Sequence, residues 1–564
     1  MRWSRRLIKQ IAIFGGKKWL INDGFTIALT ATNVDGTDAY PGPGTRSTGA
    51  TGSISGGAYV LTGAADDSLW YDETVTRAVG RILIATPTIT DATKIIEFGF
   101  DANQAGALGA NSLLYNTDLL KPTDGGAGGP AIFVPADATQ YTLAMALRAA
   151  GAYFFVDGEL LYVYGTNATT PLYAGISNTD AAGTIDYVRV STGKYVPVPI
   201  AADTGTVADV DGTYYTDGGT LTGIEAGGDG RAWTGDTWTN GVGGAYNTPT
   251  LGAELVANGD MELDSDWSNY GSPATNERSD IRSHGGTYSR HIVTTGITQG
   301  CTQSVTGTVA RWLRFLAWTY VVTGDARLVN ATSETFPKIS LDIYDTGEWV
   351  GSTWTCRATV SSIGIYLRPS SVAISEVYFD DVSLMELSTA DLFRSITDAA
   401  TPYVYASANW IVTAGTQAGI VTNLDSAATP ANFIIVYHDG TSVVTEKCVA
   451  GTYTTIATVA AAYSANAPLV VRTRLSGSDL SVWVWYNNVY IGNYTVTDAG
   501  IISNTLHGLF STHADNVCSD VNIYPTGGHN IPGWTEPAAQ DPVFLMEDGT
   551  QFLMEDGAQF WMEG

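Results

Sequence analysis

Two stretches far apart in the chain follow one plan: YTLAMALRAAGAYFFVDGELLYVYG, from Tyr141, and PLVVRTRLSGSDLSVWVWYNNVYIGN, from Pro468. Each reads as an alternating strand bearing an arginine (Arg148 or Arg474), a Gly-containing turn, an aromatic strand, a two-residue turn (Asp157-Gly158 or Asn487-Asn488) and a further strand. Alternation with period two gives a pleated strand one buried and one solvated face. Asp-Gly or Asn-Asn between such runs accepts the positive φ of a tight hairpin turn. A three-strand meander repeated at this separation is a duplication at domain scale, too widely spaced for a solenoid. Both regions have to be all-β.

The rest of the composition agrees. The 564 residues include 63 Gly and only 15% charged residues, which suits many short strands joined by turns. A chain of this length is too long for one core, and three or four domains are expected. No run approaches the ~20 apolar residues of a membrane helix, so membrane insertion is not expected. Formal charge is −28, yet residues 1–18 hold six basic residues and no acid, leaving 22 basic against 56 acidic groups. So acidic a body repels nucleic acid. The basic start, with Arg2, Arg5, Arg6 and Lys9, gathers Leu7, Ile8 and Ile11 on one side of a helix and reads as an anchor to an acidic partner protein. Its apolar run IAIF is too short for a secretory signal, and Lys17-Lys18 stands where a small-residue cleavage site belongs.

Cys301, Cys356, Cys448 and Cys518 make no CxxC pair, and no His lies at metal-ligand spacing from them. The pairings 301–356 and 448–518 and four buried thiols are both open. At the other end, FLMEDGTQFLMEDGAQFWMEG repeats with period eight, placing Phe544, Phe552 and Phe560 in register around Asp-Gly turns. This reads as a three-strand meander too small to stand alone, hence a docking or oligomerisation tail.

The duplicated strand series resembles concanavalin A-like and laminin G-like jelly-roll domains. Between the copies, GAELVANGDMELDSDW from Gly252, IRSHGGTYSRHI from Ile281 and VYFDDVSLMEL from Val377 resemble the opening, middle and closing strands of carbohydrate-binding modules attached to xylanases and cellulases. The RHIV of the middle strand is more polar than that family leads one to expect. The expected fold is all-β, with three tandem jelly-roll β-sandwiches. The expected segments are 1–19 as basic anchor, 20–195 as first sandwich, 196–250 as Gly-rich linker or hairpins, 251–388 as the binding-module-like sandwich, 389–528 as third sandwich, and 529–564 as linker and tail.

In the central module, RWLRFLAWTYV puts Leu313, Phe315, Ala317 and Val321 on one face and Trp312, Arg314, Trp318 and Tyr320 on the other. An Arg among aromatics is housed more easily on a solvated face than in a core. These four are candidates for stacking on sugar rings or for packing under a neighbour. The resemblance also implies a structural calcium held by Glu262 and Asp381, with Asp380 beside them. Glycosidases of the jelly-roll fold carry E-x-D-x-x-E on one strand, and no such run occurs. Glu97 and Asp101 come nearest and lack the spacing.

Sandwiches of this kind with a basic head and an E-D-G repeat resemble virion proteins of tailed bacteriophages: fibres, spikes and capsid decorations. That resemblance implies a non-enzymatic structural protein on the virion, assembled in the host cytoplasm, a trimer in contact with other virion proteins and displaying its sandwiches to host-surface glycans. The alternatives are a decoration that binds no glycan and a polysaccharide depolymerase.

Overall fold

The computed structural model describes most of residues 53–191 and 250–526, with isolated strands between residues 19 and 48, 201 and 246, and 544 and 560. The basic segment 1–18 lies outside the described residues, and with it the expected anchor of Arg2, Arg5, Arg6 and Lys9.

The fold is nearly all β, arranged as paired antiparallel sheets. In the first sandwich one sheet runs Glu159–Tyr164, Gly151–Val156, Leu143–Arg148, Ile82–Ile89, Ala182–Ser191, Ala58–Thr62. In the third, the matching sheet runs Val489–Val496, Asp479–Tyr486, Ala467–Ser476, Val404–Ile411, Val517–Pro525, Gly244–Tyr246. Strand for strand the order is the same, as the duplicated meanders require. The hairpin turns take the expected conformation, with φ of 48° and 76° at Asp157-Gly158 and 49° and 59° at Asn487-Asn488.

The stretch read as a linker or hairpins contains two hairpins, Gly205–Asp209 with Gly212–Thr216 and Thr239–Gly241 with Gly244–Tyr246, and it also reaches another unit. Three of its strands join the third sandwich: Ala201–Ala202 and Gly244–Tyr246 pair with Val517–Pro525, and Trp233–Gly235 pairs with Ser395–Asp398. The strands equivalent to Ala58–Thr62 and Leu69–Val75 of the first sandwich are thus Gly244–Tyr246 and Ser395–Asp398, and the central module sits between them as an insertion. The physical reason is that a sheet border gains hydrogen bonds from any strand that reaches it, whatever the sequence distance.

Alternation along the third sandwich's strands explains how the three units join. Ala406, Ala408, Val471, Val482 and Val484 face inward and form its core. The intervening Tyr405, Val470, Trp483, Trp485 and Tyr524 face outward, where they are buried in one cluster with the first sandwich. Tyr162 meets Trp485 and Tyr405 at 5.1 and 5.9 Å between ring centroids, and Tyr153 meets Tyr524 at 5.8 Å. Arg472 lies in this seam, 1% exposed. Its Nη1 donates to the carbonyls of Ile132 and Leu161 at 3.0 and 3.1 Å, and its guanidinium lies 4.7 Å from the Trp483 ring. Burial pulls that guanidinium down to about 9. The Trp485 indole N–H donates to Ala131 O at 2.8 Å.

The third sandwich's other sheet is covered by the central module. Trp312, Leu387 and Leu251 pack with Phe433, Ile435, Tyr437 and Phe510. Arg357 makes a two-pronged ion pair with the 3%-exposed Glu446, which also accepts from the Thr455 hydroxyl. Thr355, Gln417 and Thr512 form a buried hydrogen-bonded trio beside it.

All four cysteines are buried free thiols, and burial pushes those of Cys301, Cys356 and Cys448 up to about 12. In the terminal repeat Phe544 pairs with Phe552, and Met554 with Phe560, giving two separate two-strand ribbons in place of one three-strand meander.

Trp485→Ala removes the largest fully buried side chain among the described residues, and a cost of about 3–5 kcal/mol is expected. Denaturant melts of the full chain check this, with limited proteolysis expected to release the first sandwich.

Candidate functional site

The central module is two facing sheets. One runs Thr275–Ser279, Ser289–Thr295, Ile374–Leu387, Trp312–Thr323, Trp349–Arg357; the other runs Ser268–Tyr270, Gly300–Thr306, Ser362–Arg368, Ala326–Ala331, Ile339–Ile343. Leu313, Phe315, Ala317 and Val321 fill the core between them, as their alternation predicts.

The four outward candidates do not form an open sugar platform. Trp312 is 4% exposed and packs against Tyr437 at 5.8 Å, so it is a contact between sandwiches. Arg314 is half-buried; burial lowers its pKa, with Glu254 opposing. Trp318 lies over Gly351, where a Cβ would stand 2.9 Å from the indole, and His284 stacks on it at 3.7 Å and 14°. Tyr320 carries the guanidinium of Arg282 at 4.3 Å. Tyr320 belongs to a row running straight across the sheet, Trp349, Tyr320, Tyr378, His291 and Glu277, each in direct register with the next.

That row accounts for the polar RHIV strand. His291 stacks on Tyr378 at 4.4 Å and places Nε2 3.2 Å from Glu376. The neighbouring Arg290 is 6% exposed and staples the loop before it through Asn276, Asp264 and the carbonyl of Trp267.

Glu262 and Asp381 flank the same Gly285-Gly286 loop, and each holds it through one oxygen. Glu262 Oε1 accepts the amides of Thr287 and Tyr288 at 2.6 and 2.9 Å, bonds that hold its carboxyl below the usual range. Asp381 Oδ2 meets His284 Nδ1 at 2.6 Å. Asp380 is fully buried; burial pushes its carboxyl up to about 6 although the amides of His284, Asp381 and Gly285 donate to it. Calcium takes about six to eight oxygens, and among the described residues no three His, Cys, Asp or Glu are grouped to hold a metal. The carboxylates act as clasps on the 281–288 loop.

The open surface lies on the opposite sheet. A groove of about 750 Å³ is lined by Tyr270, Tyr366, Thr302, Ser304, Asp266 and Gln303, among others. Tyr270 and Tyr366 meet edge to face at 4.9 Å and are half-buried. Thr302 stands in register between Ser268 and Tyr366. Gln303 points the other way and clamps the loop above, bonding Ala257 through both ends of its amide at 2.8 Å and reaching Asp266 O. The groove thus combines flat rings, hydroxyls and one carboxylate, on a sheet none of whose residues takes part in the contacts with the third sandwich described above. Its tyrosines were legible in principle: Ile363, Ile365 and Leu367 alternate inward, which leaves Tyr366 outside.

In the first sandwich, Glu97 and Asp101 are the second and last residues of Ile96–Asp101. Four residues of strand separate them by about 13 Å, beyond the span of a glycosidase pair.

No family model matches the sequence, and no curated protein matches it. Solved structures similar in fold include a family 4 carbohydrate-binding module (14% identity, 23% of this chain and 99% of that chain, TM-score 0.19). Another is the CBM22-1–CBM22-2 tandem domain of Paenibacillus barcinonensis Xyn10C (10% identity, 65% of this chain and 97% of that chain, TM-score 0.19). A third is the enzymatically active domain of bacteriophage CBA120 tailspike protein 4 (13% identity, 24% of this chain and 21% of that chain, TM-score 0.20).

Asp380 gives a pH test. Its folded pKa lies above the unfolded value, so the folded state binds the extra proton and this group's contribution to stability falls as pH rises from about 4 through about 6. The melting temperature of Asp380→Asn relative to wild type is expected to rise across that window and stay level above it, read by thermal melts at stepped pH.

Proposed function

We propose that the chain is a non-catalytic, saccharide-binding structural protein, and that the saccharide lies in the Tyr270–Tyr366 groove. The observation that carries this is the groove's make-up. Two tyrosine rings supply flat apolar faces for the C–H side of a sugar, while Thr302, Ser304 and Thr306 supply hydroxyls for its polar edge. Sites of about this volume with apolar walls and a few convergent polar groups are what small-ligand binding needs. With Asp266 the one charged residue lining it, the groove suits an uncharged saccharide.

The setting proposed is a virion surface, where the resemblance of the basic head and the E-D-G tail to tailed-phage proteins puts it. Weak single contacts then suffice, because many copies displayed together multiply them. The acidic body favours solubility at high local concentration. A non-catalytic role accords with the wide separation of Glu97 and Asp101.

Glycan-array screening followed by calorimetry on the best hit tests the proposal. Tyr366→Ala and Tyr270→Ala are each expected to weaken binding about tenfold, equal to about 1.4 kcal/mol, while Trp318→Ala leaves it unchanged. Binding lost in Trp318→Ala and kept in Tyr366→Ala would move the site to the opposite sheet. No binding by folded protein would leave a purely structural element.

A further inference from the structure

The polar groups of the Tyr270–Tyr366 groove differ in what they ask of a ligand. Ser268, Thr302, Ser304 and Thr306 carry hydroxyls, which donate or accept as the partner requires. Gln303 has both ends of its amide bonded to Ala257. Among the described residues Asp266 is the one carboxylate in the lining, a group that accepts and does not donate, and no Lys, Arg or His stands beside it there.

The backbone marks the same residue. Asp266 has a φ of 71°, in the left-handed region that residues with a Cβ seldom take and that recurs at binding sites. Its neighbours hold it there. Gln303 Nε2 donates to Asp266 O at 3.2 Å, the Asn258 side-chain amide donates to the carbonyls of Leu263 and Ser265 at 2.8 and 2.9 Å, and the Trp267 indole N–H donates to Asn258 O at 3.0 Å. The residues before and after Asp266 are therefore both tied to Asn258.

The side chain so placed is exposed at the groove. Oδ2 accepts from the Ser265 hydroxyl at 2.5 Å, and Oδ1 has no partner among the described residues. An acceptor fixed before the ligand arrives loses little freedom on binding. A sugar hydroxyl donating to it forms a charge-assisted bond, about twice as strong as a neutral one. A ligand that brings its own negative charge is repelled instead, and the body of the chain, at −28, adds to that repulsion.

We propose that Asp266 sets the specificity of the groove: its carboxylate accepts from a hydroxyl of a neutral sugar seated against the tyrosine rings, and turns away sugars that carry carboxylate, sulfate or phosphate. This rests on the groove being the saccharide site, and adds to it the class of sugar taken and the residue that selects it. Gln303 and Asn258 act as positioning residues, since they touch the Asp266 backbone and its loop and leave the carboxylate to the ligand.

Calorimetry of the full chain with a matched pair of ligands tests this: the neutral oligosaccharide that binds best on an array, and the same oligosaccharide with its primary hydroxyls oxidised to carboxylates. Wild type is expected to prefer the neutral form at least about tenfold, with the preference narrowing as salt is added. Asp266→Asn removes the charge and keeps the backbone, because Asn takes the left-handed region more readily than most residues. It is expected to bind the neutral form about tenfold more weakly and the oxidised form more tightly than wild type does. Equal binding of the two forms by wild type, or an unchanged preference in Asp266→Asn shown by circular dichroism to be folded, would overturn the proposal; should the variant not fold, the wild-type preference and its salt dependence decide alone. Tyr366→Ala on the same pair separates this from the groove itself. If it weakens both forms while Asp266→Asn changes neither, the groove stands and the role of Asp266 falls; if it weakens neither, the saccharide lies elsewhere and both fall.

Discussion

The arrangement of the chain depends on the outward face of one sheet in the third sandwich. Tyr405, Trp483, Trp485 and Tyr524 cannot be left in water without a large loss of buried apolar area, and Arg472 among them cannot be buried without acceptors. The first sandwich answers both, with Tyr153 and Tyr162 for the rings, the carbonyl of Ala131 for the indole and those of Ile132 and Leu161 for Nη1 of the guanidinium, whose other two nitrogens find no such partner and lie against the Trp483 and Trp485 rings. A buried cation held by main-chain oxygens sets the register of the seam, because a small slide would strand its charge.

The same sandwich is covered on its other sheet by the central module, through Trp312 and the Arg357–Glu446 pair. The module is also an insertion, with strands of the third sandwich on both sides of it in sequence. Two chain crossings and a packed contact fix it more firmly than a single linker would. Those contacts come from the sheet bearing Trp312, Thr355, Arg357 and Leu387, leaving the sheet of Tyr270 and Tyr366 to face outward.

Sequence patterning gave the sandwiches away because period-two alternation and turn residues are local signals. The meanders at Tyr141 and Pro468, the inward set Leu313, Phe315, Ala317 and Val321, and both two-residue turns follow from neighbours in the chain. Long-range facts did not. Nothing local says that Gly244–Tyr246 pairs with Val517–Pro525 across the whole module, or that Trp312 meets Tyr437. The outward aromatic face of Trp312–Thr323 was legible, but its covers were not: His284 and Arg282 come from a loop whose position depends on Asp380, Asp381 and Glu262. An aromatic stripe shows where a ring points, and only the fold shows what lies on it. Tyr270 and Tyr366 were harder to find, since each stands alone in its strand and they become a pair only when the sheet brings them together.

The most direct measurement is a crystal structure of the full chain soaked with an uncharged oligosaccharide that binds it in solution. The account predicts sugar density in the groove, against the rings of Tyr270 and Tyr366 and within hydrogen-bonding reach of Thr302 or Ser304, with His284 still stacked on Trp318. Sugar seated on Trp318 and Tyr320 with His284 displaced, or on either of the other sandwiches with the groove empty, would contradict it.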